Sequence, residues 1–271
     1  MLKFASSSRK PLEGVIMKIL VIGGSGLIGS RVVAMLSELG HEAVSASPSS
    51  GVNTVTGEGL GDAVAGVHTV VDVSNSPSFA DDDVLDFFTT STKNLLAAER
   101  AAGAQHHVAL SIVGADRVPE SGYLRAKCAQ ERLIEESGSP YSIVRATQFF
   151  EFVTAIADSA TEGYTVRLPH APIQPIAAED VSAAVTRATI SDPLNGIVNI
   201  AGPEKFGMDD FIWTGLAAYG DPRQVVTDPT ARYFGAVLED YSIVPVDGEN
   251  VTIFSTRFTD WVAARVPSGS R

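Results

Sequence analysis

The stretch K-I-L-V-I-G-G-S-G-L-I-G, from Lys18 to Gly29, decides the fold of this chain. The run up to Ile22 is apolar and rich in β-branched residues, which is typical of a strand buried on both faces of a parallel sheet. Glycines follow at Gly23, Gly26 and Gly29, and an amphipathic helical run comes after them. A strand, a tight glycine turn and a helix N-terminus together favour an anion, because the backbone approaches it closely and the helix dipole points at it. We therefore predict that this turn binds a pyrophosphate.

Strands and helices alternate after this stretch as far as about residue 160, and this alternation predicts an α/β fold with a doubly wound parallel sheet. One of the strands is predicted at 52–56. The later pattern is irregular and indicates a small C-terminal substrate lobe interleaved with the last sheet elements. We expect a flexible N-terminal extension over 1–16, a dinucleotide-binding domain over 17–160 and the lobe over 161–271.

The net charge and composition of the chain limit the classes of partner that it can bind. The chain has 271 residues, a formal net charge of −12 and a single cysteine, Cys128. This charge argues against nucleic acid and against an anionic membrane surface, since both need basic patches. No apolar run approaches the length of a membrane span, and a single cysteine fits a reducing compartment. We expect a cytoplasmic monomer or homodimer that acts on a small-molecule substrate.

The segment after the second predicted strand bears on the choice of cofactor. An acidic residue there would bind the 2′-hydroxyl of NAD, whereas arginine or small polar groups accommodate the 2′-phosphate of NADP. The segment contains Ser47, Ser49 and Ser50 but no acid and no arginine. This composition favours NADP, with NAD possible, and the alternative is a serine-rich loop that contacts no phosphate.

Four polar residues suggest the chemistry. Tyr123 and Lys127 are four apart, so they share one helix face, where the lysine can lower the pKa of the phenol and hold a nicotinamide ribose. The phenol can then exchange a proton with a carbonyl oxygen as hydride is transferred. Ser111 ends a predicted strand, where its hydroxyl can bind the same oxygen. Asn94 lies among apolar residues of a long helix and is either a structural bridge or part of the site.

At this point the chain resembles the short-chain dehydrogenase/reductase superfamily, most closely its atypical, NmrA-like branch. The resemblance extends over about residues 17–202. The segments that carry it are G-G-S-G-L-I-G (Gly23–Gly29), T-K-N-L-L-A-A (Thr92–Ala98), Ser111 with Y-L-R-A-K (Tyr123–Lys127), R-A-T-Q-F-F (Arg145–Phe150) and P-I-A-A-E-D-V (Pro175–Val181).

The resemblance implies a Rossmann fold and an NAD(P)-dependent oxidoreductase, NADP favoured, that moves hydride to or from a carbonyl or conjugated carbonyl of an apolar small molecule. It implies Tyr123 as proton donor, Lys127 as its orienting residue, Ser111 as the group that polarises the carbonyl, and Asn94 as part of a proton relay. The expected cofactor contacts are Gly23, Gly26, Leu27, Ile28, Gly29, Ser47, Ser74, Asn75, Lys127, Thr147 and Gln148.

Two other functions stay open on the same fold. One is a non-catalytic regulatory protein that senses a dinucleotide or its redox state. The other is an oxygenase-type enzyme of polycyclic natural-product metabolism. We expect no metal site, since the adjacent His106 and His107 point to opposite faces of a strand. His170, in a loop of the lobe, is a possible substrate contact.

Overall fold

A computed structural model describes residues 16–265 of the chain. In chain order, its strands and helices are β1 (Lys18–Ile22), α1 (Gly29–Glu38), β2 (Glu42–Ala46), α2 (Leu60–Ala63), β3 (Thr69–Asp72), α3 (Asp81–Ala102), β4 (His106–Ile112), α4 (Gly122–Glu136), β5 (Tyr141–Ala146), α5 (Val153–Ser159), β6 (Thr161–Glu162), β7 (Thr165–Leu168), β8 (Pro172–Ile173), α6 (Ala178–Thr189), β9 (Gly196–Ala201), β10 (Phe206–Gly207), α7 (Met208–Tyr219), β11 (Gln224–Thr227), β12 (Val251–Ile253) and α8 (Phe258–Ala263). Residues 1–15 of the predicted N-terminal extension lie outside the described part.

The main sheet has seven strands in the order β12-β9-β5-β4-β3-β1-β2. Every neighbouring pair in it is parallel. Helices flank the sheet, and its inner strands are apolar on both faces: Ile19, Leu20, Val21, Val70 and Val71 have no exposed surface. The predicted doubly wound α/β fold is confirmed.

The position of β1 fixes where a ligand can bind. β1 pairs with β2 on one side and with β3 on the other, so the direction of chain progression through the sheet reverses at this strand. In open α/β sheets, ligands bind outside the carboxyl ends of the strands at such a reversal. Gly23 follows β1 at this edge and Ser74 lies just beyond β3, so these two positions border the predicted crevice.

The predicted strand at 52–56 does not form. The Asn53 side chain accepts hydrogen bonds from the amides of Val55 (2.9 Å) and Thr56 (3.2 Å), and the Asn53 amide donates to the Glu58 carbonyl. An asparagine that binds the backbone two residues further on forms a turn in place of a strand ladder. The segment is therefore a loop that leads into α2.

The later part of the chain builds a second layer of structure beside the sheet. It contains a three-stranded sheet, β11-β7-β6, and a two-stranded one, β10-β8. Its apolar core includes Phe150, Phe211 and Phe258, which are fully buried. By contrast, β9 and β12 belong to the main sheet. The boundary at residue 160 stays a prediction. Among residues 16–265 we find no helix that is both long and apolar enough to cross a membrane.

Candidate active site

The glycine turn after β1 is so compact that two of its positions have no room for a side chain. Gly23 has a φ of +76°, and a Cβ at this position would lie 2.9 Å from backbone atoms of Ser74. A Cβ at Gly29 would lie 2.2 Å from the Gly23 carbonyl oxygen. The turn therefore needs glycine at both positions, and it packs directly against the end of β3.

Helix α1 begins in this turn with an end suited to an anion. No side chain caps the helix at Ile28, and its first turn carries no acidic residue. Its backbone N–H groups and dipole therefore meet no competing negative charge. Gly26 and Leu27 are exposed at the tip of the turn, whereas the Ile28 side chain is buried in the core. Ile28 can thus contact a ligand through its backbone only.

The serines after β2 form a compact turn. The Ser47 and Ser49 hydroxyls are hydrogen-bonded at 2.8 Å, and Ser50 Oγ accepts from the Ser47 amide at 3.0 Å. Ser49 and Ser50 are exposed. The turn thus presents small, neutral hydroxyls where a ribose-binding acid would stand.

The residues after β3 connect the turn to the rest of the site. Ser74 donates to Asp72 Oδ1 through its amide (3.0 Å) and its hydroxyl (2.6 Å). The next residue, Asn75, is exposed, and its Oδ1 accepts a hydrogen bond of 2.8 Å from the Tyr123 phenol. The loop that packs on the glycine turn therefore also contacts the predicted proton donor.

Tyr123 stands in the first turn of α4, which Ser121 caps by accepting from the Leu124 amide at 3.4 Å. Its ring meets Phe88 of α3 edge-on, with centroids 6.0 Å apart. Burial raises the pKa of the Tyr123 phenol to about 12. The expected lowering of this pKa by the lysine is therefore wrong, and the phenol is protonated at neutral pH.

The reason lies in the direction of the Lys127 side chain. Its buried ammonium donates to the Leu110 carbonyl (2.9 Å) and to the Gln130 side chain, and it lies 4.3 Å from the centroid of Phe88. Burial lowers the pKa of Lys127 to about 8, although Asp72 and Glu131 act against the shift.

Gln130 extends this contact to the end of β3 by donating to Asp72 Oδ2 at 2.9 Å. Asp72, Gln130 and Lys127 thus form a buried chain of hydrogen bonds. We did not predict Asp72 or Gln130 from the sequence. The signal for Asp72 was available, because it is a polar residue at the end of an apolar strand.

Two orphaned oxygens lie at the carboxyl ends of the next strands. Ser111 Oγ, near the end of β4, and Gln148 Oε1, just after β5, are buried and have no hydrogen-bond partner. Buried polar atoms are nearly always paired, so these two fit a bound ligand. Thr147 differs, because its hydroxyl donates to the Gln174 carbonyl at 2.6 Å.

The side chain of Asn94 forms its hydrogen bonds with the loop after β2. Its amide nitrogen donates to the carbonyls of Thr54 and Val55, each at 2.9 Å. It therefore attaches the loop after β2 to α3 as a structural bridge, which was one of the two roles expected of it.

His170 pairs with an acidic residue of the lobe. Its Nδ1 is 2.7 Å from Asp209 Oδ1, and Thr227 donates to the other carboxylate oxygen at 2.5 Å. This hydrogen bond raises the pKa of His170. Asp210 completes a group whose possible ligand atoms lie within 4.8 Å of one another. Hydrogen bonds within the group account for this arrangement, so the arrangement does not by itself indicate a metal site.

The glycine cradle, the uncapped helix end and the orphaned oxygens fit a dinucleotide, and a comparison with known families agrees. Residues 23–193, more than half of the chain, match the model of a family described as NAD(P)H-binding. The chain belongs to this NAD(P)H-binding family. The assignment confirms the resemblance to atypical short-chain dehydrogenase/reductases, while the role of the glycine turn as a pyrophosphate site stays a prediction.

Curated proteins similar to this family member include an enzyme and an assembly factor. A chloroplastic divinyl chlorophyllide a 8-vinyl-reductase from Cucumis sativus is 28% identical over 225 residues, which are 69% of this chain and 53% of the relative. The photosystem II assembly factor Ycf39 of Cyanophora paradoxa is 25% identical over 149 residues, 50% of this chain and 46% of the relative. The chain thus spans about half the length of these relatives.

Solved structures of NAD(P)H-binding proteins share the fold. The UDP-glucose 4-epimerase of Thermus thermophilus, in complex with NAD, superposes with a TM-score of 0.64 at 19% identity. The match covers 83% of this chain and 91% of the epimerase. At this identity the likeness shows the fold alone.

Proposed function

We propose that the protein is an NADPH-favouring reductase that transfers hydride to a carbonyl or conjugated carbonyl of an apolar small molecule. The observation that carries the proposal is the hydrogen bond from the Tyr123 phenol to Asn75, because it joins a protonated donor to the loop that packs on the glycine turn. In this proposal the partner is the small molecule and neither nucleic acid nor a membrane, and the protein acts as a monomer or homodimer in the cytoplasm.

The cofactor would lie along the carboxyl edge of the sheet. The turn of Gly23, Gly26 and Gly29 and the N–H groups of α1 would hold the pyrophosphate. Ser47 would face the adenosine ribose, and the lack of an acid after β2 favours the 2′-phosphate of NADPH over NADH. In this proposal the residues near the nicotinamide end would be Ser74, Asn75, Lys127, Thr147 and Gln148.

When it is bound, the reduced nicotinamide supplies the hydride. Tyr123 would give its phenol proton to the carbonyl oxygen, so the carbonyl gains one hydride and one proton while the nicotinamide is oxidised. A phenol with a pKa of about 12 is protonated at neutral pH. This state suits a donor in a reduction better than a base in an oxidation.

Ser111 and Asn75 would have different roles in this step. The unpaired Ser111 hydroxyl would donate to the carbonyl oxygen and polarise it. Asn75 accepts the hydrogen bond of the phenol, and the substrate carbonyl would replace it as acceptor. Asn94 would act only on the loop that it holds, since both its donor contacts are to that loop.

A second candidate is a non-catalytic protein that binds a dinucleotide and regulates another process. The direction of Lys127 favours it, because the ammonium is occupied by Leu110 and Gln130 and makes no recorded contact with Tyr123 among the described residues. The similarity to an assembly factor is a further reason to test it.

Calorimetric titration with NADPH, NADP, NADH and NAD is the first test. The reductase proposal predicts selective binding of NADPH, and binding of none of the four would contradict both candidates. The second step uses NADPH deuterated at nicotinamide C4 with a panel of carbonyl compounds. Deuterium in a reduced product supports the reductase, and tight binding without any transfer supports the regulatory protein. Oxygen uptake in step with substrate loss would instead indicate the oxygenase.

A further inference from the structure

Three aromatic rings, those of Phe79, Tyr123 and Phe234, form a cluster at the candidate proton donor. The rings of Phe234 and Tyr123 are nearly parallel, at 19°, with centroids 5.4 Å apart. The centroid of Phe79 lies 5.5 Å from that of Tyr123 and 5.9 Å from that of Phe234. Phe79 comes from the loop after β3 and Phe234 from the segment between β11 and β12, so two distant parts of the chain meet at Tyr123.

Phe234 has an unusual backbone conformation. Its φ is +47°, and that of Gly235 is +81°. Tyr233 and Ala236, on either side, exchange two backbone hydrogen bonds of 2.8 and 3.1 Å. Two residues of positive φ between such a pair form a type I′ hairpin turn, for which Asn-Gly is the favoured sequence.

A phenylalanine is strained in the first of these two positions. Backbone strain of this kind concentrates at active sites and ligand-binding sites. Here the turn directs an aromatic ring onto Tyr123.

The cluster is open to solvent. Phe79 is 56% exposed and Phe234 44% exposed. Their rings gain less from burial than core residues do, while they remain available to stack on a ligand. The Tyr123 hydroxyl is the polar donor beside them.

We propose that Phe234 is a specificity-determining residue, and that the substrate carries a flat, conjugated ring which stacks on Phe234 and Phe79 while its carbonyl meets Tyr123. The proposal rests on the proposed reductase function and adds its substrate class. Stacking between flat rings adds attraction beyond the burial of area. A small aliphatic carbonyl lacks this attraction, so the cluster would favour the conjugated substrate.

The substitution Phe234→Asn tests this stacking without disturbing the turn, since Asn-Gly is the preferred type I′ pair. Phe234→Tyr keeps the ring and serves as the matched control. Trp213→Asn, at a 61% exposed position of α7, controls for the loss of an exposed aromatic elsewhere. We expect Phe234→Asn to melt at the same temperature as the wild type or higher.

Two diketones serve as probes with NADPH: 9,10-phenanthrenequinone, which is flat and conjugated, and 2,3-butanedione, which is small and aliphatic. We expect Phe234→Asn to raise the KM for the quinone about tenfold. Its effect on the KM for the diketone should be much smaller. Phe234→Tyr should keep the preference for the quinone, and Trp213→Asn should behave as the wild type. An equal effect of Phe234→Asn on both probes, or no effect on either, would overturn the proposal.

Failure of the substrate inference and failure of the reductase function give different results. If the wild type reduces neither probe, quinone binding to the NADP-loaded protein is measured by calorimetry. An about tenfold weaker binding to Phe234→Asn than to the wild type still supports ring stacking. Equal binding, or none, overturns it.

Discussion

Tyr123 donates its phenol hydrogen to Asn75 Oδ1 across 2.8 Å. This bond joins the first turn of α4 to the loop that follows β3, 48 residues earlier in the chain. The same loop packs on Gly23, so the predicted proton donor is linked through one loop to the dinucleotide turn. A substrate carbonyl would have to take the place of Asn75 as acceptor. The proton donor is therefore oriented by a hydrogen bond that the substrate must replace.

The glycine turn should not tolerate a methyl group. In Gly29→Ala the new Cβ would lie 2.2 Å from the Gly23 carbonyl oxygen, so the turn must move. We expect dinucleotide binding to weaken at least tenfold, about 1.4 kcal/mol or more, as measured by calorimetry. Gly61→Ala is the matched control, because a Cβ at this position would meet no atom within 4 Å. The control should bind normally and gain about 0.4–1 kcal/mol of stability, because alanine leaves the unfolded chain fewer conformations than glycine does. Normal dinucleotide binding by Gly29→Ala would contradict the role of the glycine turn as a binding site.

Asn94 should matter for stability more than for chemistry. Asn94→Ala removes two hydrogen bonds to the carbonyls of Thr54 and Val55. Each such bond contributes about 0.5–1.5 kcal/mol, so the free energy of unfolding should fall by about 1–3 kcal/mol. Urea unfolding measures this change. A kcat close to that of the wild type is expected, and a loss of kcat of about 100-fold or more in the folded variant would restore the relay role.

Activity should fall on the alkaline side as Lys127 loses its proton. Its pKa of about 8 means that the ammonium is charged below this pH and neutral above it. The kcat/KM for NADPH reports the free enzyme, so it should decline as pH rises through about 8. The phenol of Tyr123, with a pKa of about 12, cannot cause a decline in this range. Lys127→Met should be less active and should lack this limb. If Lys127→Met showed the same decline above about pH 8, a group other than Lys127 would cause it.

Buried His106 should make the fold sensitive to mild acid. Burial and the charges of His107 and His68 lower the pKa of His106 from 6.5 to about 4. The unfolded chain then binds the proton more tightly than the folded one does, so stability is present above about pH 6.5 and is lost as pH falls towards about 4. The expected loss between about pH 7 and 5 is on the order of 1–2 kcal/mol.

Urea unfolding of the wild type and His106→Gln at these two pH values measures this effect. Glutamine can keep a donor near Ser142, which His106 contacts at 2.9 Å, but it does not titrate. The variant should therefore lose less stability in acid than the wild type. An equal loss in both proteins would mean that His106 does not cause it.

The features predicted best from the sequence are those that depend on residues close together along the chain. The apolar run of β1, its glycine turn and the helix after it have local patterns, and all three form where expected. The hydrophobic periodicity along the chain also indicates alternating strands and helices, and this alternation predicts the doubly wound sheet. The strand expected at 52–56 failed because one side chain, Asn53, offered the backbone a turn.

The side-chain partners depend on contacts between distant parts of the chain, and no local pattern encodes them. Spacing placed Tyr123 and Lys127 on one helix face, but it could not show that Gln130 and Leu110 hold the ammonium. The contact of Phe234 with Tyr123 spans two separate elements, and a Phe-Gly pair in a loop gives no sign of it.

Turnover of NADPH by the wild type and by Tyr123→Phe tests the central claim most directly. The substitution removes only the hydroxyl and leaves the ring to pack on Phe88 and Phe234. With a carbonyl substrate that the wild type reduces, kcat should fall at least about 100-fold, as expected for loss of a general acid, while the Kd for NADPH stays the same. An unchanged kcat in Tyr123→Phe would contradict the assignment of Tyr123 as the proton donor.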